Sequence, residues 1–70
     1  MDLELLQDTV RKSGLKKEWL CRQMGMSYPT LHRRMTGETP FSASEIEMFS
    51  RVLKLSENRK KAIFGDPQPS

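Results

Sequence analysis

Apolar side chains recur along this chain at three- and four-residue intervals and nowhere alternate with polar ones over the length of a strand. The first spacing lines one face of a helix, whereas period two would mark a half-buried strand. The pattern therefore predicts an all-α chain of four or five short helices and no sheet. Leu3, Leu6 and Val10 stripe a helix over residues 2–12, ended by Ser13 and Gly14. Leu20 and Met24, one turn apart, mark a short helix over 16–24 that Gly25 stops. Ser27 is a natural N-cap for the next, and Pro29 in its first turn has no amide to leave unpaired. That helix runs to about Thr36 and ends at Gly37, and residues 38–40 read as a turn. Ser42 and Glu45 form a capping box, each satisfying a free backbone amide. It starts a fourth helix with Ile46, Phe49 and Leu53 on one face and Val52 beside them. Ser56 is placed to cap a fifth over 57–64, and residues 65–70 read as a flexible tail. With no repeat and no long linker, residues 1–64 are read as a single domain.

Composition narrows the class. At 70 residues the chain lies near the lower limit for one core without covalent or metal staples. Its single cysteine, Cys21, allows no internal disulfide, and no Cys/His cluster has the spacing of a zinc site. Neither a metal nor a cofactor is expected. The first eight residues are acidic and broken by charges, unlike a signal or transit peptide. No apolar run approaches the ~18 residues of a membrane span, so a cytoplasmic protein is expected.

Charge is unevenly spread. Residues 9–37 hold Arg11, Lys12, Lys16, Lys17, Arg22, Arg33 and Arg34 against Glu18 alone. Residues 1–8 carry only acids, and 38–70 are balanced. A basic middle segment favours a polyanionic partner; a solvated basic face is the plainer alternative.

The same segment has a recognisable geometry. Cys21 is small where helices two and three would touch, and Gly25 can adopt the left-handed conformation of a tight turn. Leu31 would plug the angle between the helices. Small residue, glycine and aliphatic at this spacing describe a helix-turn-helix. The stretch LKKEWLCRQMGMSYPTLHRRMTG, residues 15–37, resembles without gaps that of the lambda-repressor-like family, the Cro/CI or XRE type. The resemblance continues through ETPFSASEIEMFSRVLKLS, where that family has its fourth helix, and covers about residues 3–64. The run YPTLHRRMTGETPFSASEI is particularly similar to small phage-type regulators of Gram-positive bacteria. Arg34 stands where many members have an aliphatic residue, and Trp19 where many have an exposed polar one. The resemblance implies a compact lambda-repressor-like bundle that binds double-stranded operator DNA, usually as a dimer.

Helix three itself suggests how. At about 100° per residue, Tyr28, Leu31 and Met35 fall within about 60° of one another and are expected to face the core. Arg33 lies opposite, with Pro29 and Thr36 to one side, Thr30 to the other, and His32 and Arg34 on the flanks. A helix of this shape fits the major groove, where an arginine fork pairs with guanine O6 and N7. Pro29 and the Thr30 methyl suit thymine methyl groups. The Tyr28 hydroxyl is placed to reach a phosphate or base beside Ser27 at the helix start, and Arg34 to lay its stem on the core and offer its charge to a phosphate. By resemblance, Lys16 and Lys17 touch phosphate from the start of helix two. The expected interface is thus Lys16, Lys17, Ser27, Tyr28, Pro29, Thr30, His32, Arg33, Arg34 and Thr36.

A sequence-specific regulator, repressor or Cro-like, is the function this reading favours. The alternative is a protein-interaction module on the same fold. An enzyme is not expected, for want of a carboxylate pair, metal cluster or phosphate loop, and no small-molecule substrate is indicated. A weak homodimer is expected. Ile63 and Phe64 are candidates for the self-contact, docking onto the monomer's own core being the alternative reading. Leu5, Trp19 and Met48 are further apolar residues off the main stripes.

Overall fold

Side-chain chemistry marks where each helix starts and stops. The computed structural model describes residues 1–65 and contains α1 (Leu3–Ser13), α2 (Lys17–Met24), α3 (Tyr28–Met35), α4 (Ala43–Val52) and α5 (Glu57–Phe64). No strand occurs among the described residues. The Asp2 carboxylate caps α1, accepting from the Leu5 amide at 3.0 Å. Ser27, Ser42 and Ser56 cap α3, α4 and α5, each accepting from the amide three residues on. Glu45 completes the capping box by accepting from the Ser42 amide at 2.8 Å. Gly14 and Gly25 end α1 and α2 with φ of 74° and 66°, the left-handed region that a side chain disfavours. Only α2 starts without a side-chain cap, Lys16 holding that position. The expected elements are present, their ends shifted by a residue or two; the expected tail lies, beyond Gly65, outside the described residues.

One wholly buried side chain from each helix builds the centre: Leu6, Leu20, Leu31, Phe49 and Ile63. Each stabilises the fold by about 1.5–3 kcal/mol relative to leaving it in water. Val10, Cys21, Met24, Met35 and Phe41 close around them. The contribution of Phe41, from the turn before α4, is absent from the periodic pattern. Its ring meets Phe49 and Phe64 edge-on at 5.4 and 5.2 Å, and those two meet at 5.8 Å. Ile63 is therefore wholly inside the protein's own core, and Phe64 packs against that core half-buried. The Asp2 amide donates to the Ile63 carbonyl at 2.8 Å, which ties the start of α1 to α5. Leu5 is half-buried against the core, whereas Trp19 and Met48 remain exposed. Helix α3 packs on α1 and α2, and its side carrying Pro29, Arg33 and Thr36 is exposed.

Candidate nucleic-acid interface

Helix α3 buries a narrow stripe. Leu31 and Met35 are inside, but Tyr28, expected to face the core, is 48% exposed. Helical side chains lean toward the N-terminus, and no preceding turn of α3 lies there to cover the ring of this first residue. There it lines a small cleft with Lys17, Leu31, His32 and Met35. The other predicted groups divide into exposed and engaged ones.

Pro29, His32, Arg33 and Thr36 are exposed, and the Arg33 guanidinium has no hydrogen bond or ion pair among the described residues. The Ser27 hydroxyl accepts from the Thr30 amide at 3.3 Å and donates to the Thr30 hydroxyl oxygen at 2.9 Å. Ser27 is thereby committed to the cap, while Thr30 keeps its own O–H to donate outward. The Thr36 hydroxyl donates to the Arg33 carbonyl at 3.3 Å.

Beside this face an open cleft of about 600 Å³ is bordered by α1, the start of α2 and α3. Lys17, His32 and Thr36 line its rim together with Gln7 and Arg11. Arg11, which the sequence reading did not place at the interface, is paired with Asp8. Lys16 and Lys17 stand at the uncapped start of α2, where the helix dipole is positive. Two cations repel that dipole in the free protein, and an anion bound there would satisfy both the lysines and the unpaired amides.

Arg34 departs from expectation. Its Nε donates to Glu45 Oε1 at 3.0 Å and its Nη2 to Oε2 at 3.2 Å. The charge expected to face phosphate is held instead by Glu45, in the first turn of α4. The Arg34 guanidinium, and next the Ser42 amide, hold the Glu45 carboxyl below its ordinary range. The capping box identified Glu45, but its second partner lies eleven residues away, beyond any local pattern. Equally invisible in the sequence is Gln7, whose side-chain amide donates to the Met35 carbonyl at 3.2 Å.

Comparison with known proteins supports the same architecture. The profile of a family described as a helix-turn-helix domain matches residues 4–62. No curated protein and no solved structure matches the chain significantly. No described helix is long and apolar enough to cross a membrane. Among the described residues, no group of three or more His, Cys, Asp or Glu is arranged to hold a metal ion.

Proposed function

Because the chain belongs to the helix-turn-helix domains of the Cro/CI and XRE type, a DNA-binding family, we propose that it is a sequence-specific transcriptional regulator, repressor or Cro-like, that lays α3 in the major groove of operator DNA. The observation that carries this reading is Arg33. It is exposed, and unpaired among the described residues, on the side of α3 opposite the buried Leu31 and Met35. Such a fork is free to take guanine O6 and N7 together.

Pro29 and the Thr30 methyl face thymine methyl groups, and Tyr28, Ser27, His32 and Thr36 border the contact. Lys16 and Lys17 neutralise phosphate with the help of the α2 amides. Arg34 is left out of the set, since Glu45 already holds it. A protein partner on the same face has less support: its charge is basic, and its apolar groups are confined to Tyr28 and Pro29 at one end.

One α3 spans only a few base pairs, too few to stand out among ~10⁶ competing sites. Two copies on a two-fold site, with half-sites about 34 Å apart, double the contact. Selection of bound fragments from random duplex DNA tests the reading. A palindromic consensus is expected; recovery of no preferred sequence at low salt would refute it.

A further inference from the structure

We propose that Arg34 and Glu45 act as positioning residues that set the rotation of α3 about its own axis, and so aim Arg33. The inference rests on the reading of α3 as the recognition helix.

Helix α3 is eight residues long, and only Leu31 and Met35 on it are buried. Two anchors on one stripe hold a helix at a fixed distance but allow it to roll. Polar contacts on its two sides oppose that roll. From α1, Gln7 grips the Met35 carbonyl. From α4, the Glu45 carboxylate takes the Arg34 fork at both oxygens, and a bidentate pair fixes direction as well as distance. The carboxylate is itself immobilised, because Oε1 also accepts from the Ser42 amide at 2.8 Å. The two side chains are only 18% and 22% exposed, which shields the pair from water and salt.

Arg34 is the immediate neighbour of Arg33. A roll of about 10° displaces an atom ~6 Å from the helix axis by ~1 Å. That distance is enough to carry a donor out of the 2.7–3.2 Å window of a good hydrogen bond.

The test compares the unaltered protein with Arg34→Lys, Arg34→Met and Glu45→Gln. Glu45→Gln keeps an acceptor for the Ser42 amide, so the cap of α4 survives. Affinity for a selected duplex and for a scrambled one is measured across a salt series. Residual dipolar couplings of the α3 amides are recorded in the free proteins. Each variant is expected to lose about ten-fold or more in discrimination, the scale of one bidentate base contact. The salt slope should stay unaltered, and the couplings should show α3 turned relative to α4. Arg34→Lys should behave like Arg34→Met, since it keeps the charge and loses the fork.

Full discrimination in Arg34→Lys, with a slope reduced by about one in Arg34→Met, would instead make Arg34 a phosphate contact. Unchanged discrimination and couplings in all variants would equally overturn the proposal. If the unaltered protein preferred no duplex, the reading of α3 would fail and this inference with it. The couplings distinguish that failure from failure of the clamp alone.

Discussion

Leu3 of α1 packs over the bare Cα of Gly37, such that a Cβ built at Gly37 would stand 2.9 Å from Leu3 Cδ1. Gly37 also has φ of 82°, in the region that costs a side chain about 1–2 kcal/mol. It follows the Thr36 cap of α3 and turns the chain toward α4. Gly37→Ala is expected to destabilise the fold by about 1–3 kcal/mol. Urea titration of the single variant, and of the double variant with Leu3→Ala, separates the causes. The backbone strain should persist in the double variant, and the Leu3 contact should not.

Ser50 is buried on α4, and its hydroxyl has no hydrogen-bond partner among the described residues. A buried hydroxyl without a partner loses its hydration for nothing in return. Ser50→Ala should therefore stabilise the protein by about 1 kcal/mol. The urea midpoint should rise with the slope unchanged; a fall would show that the hydroxyl has an acceptor.

Stability should depend on pH through the ion pairs. Glu45, held below its ordinary 4.5 by Arg34 and then by the Ser42 amide, takes up a proton more readily in the unfolded chain than in the folded one. Its contribution is thus complete above about pH 4.5 and is lost as the pH falls through the lower folded value. Asp8, lowered chiefly by Lys12, acts with the same sign. Lys60, raised by Glu47 above its ordinary 10.5, acts on the other limb: its contribution is present below that pH and lost at more alkaline values. Tm measured from pH 6 to pH 3 should fall less steeply in Glu45→Gln than in the unaltered protein. Parallel curves would show that the pair is not linked to folding.

Duplex binding should be strongly salt-dependent. A dimer neutralising several phosphates per subunit should lose roughly 10³ or more in affinity between 50 and 200 mM salt. Arg33→Ala should weaken binding by about 1–3 kcal/mol and relax the sequence choice, whereas Lys17→Ala should weaken all duplexes alike. Uniform losses in the two variants would make Arg33 a phosphate contact and refute its assigned role.

Self-association should be weak in the free protein and completed on DNA. Ile63 is wholly buried and Phe64 is half-buried against Phe41 and Phe49, so the contact is expected to draw on further surface. Sedimentation with and without a palindromic duplex should show two subunits per site. One subunit per site under saturating conditions would refute the two-fold arrangement.

Local rules determined most of this architecture. Helices α1 to α4 follow from three- and four-residue spacing, with serine caps at α3 and α4 and left-handed glycines after α1 and α2, and α5 follows from the Ser56 cap. All of these act within one or two turns of chain. The exposure of Arg33 was legible for the same reason, because helical periodicity sets it opposite Leu31 and Met35. Contacts between elements were not legible. Nothing near Arg34 announces Glu45, nothing near Gln7 announces the Met35 carbonyl, and the apolar end of α5 reads equally as core or as free surface. Tyr28 shows the limit within one helix: periodicity set its angle about the axis, but its place at the end of α3 left the ring outside. Those outcomes depend on how the turns aim one helix at the next and on which groups then compete for the same space. A periodic pattern fixes which side of a helix seeks cover, and only packing decides which neighbour provides it.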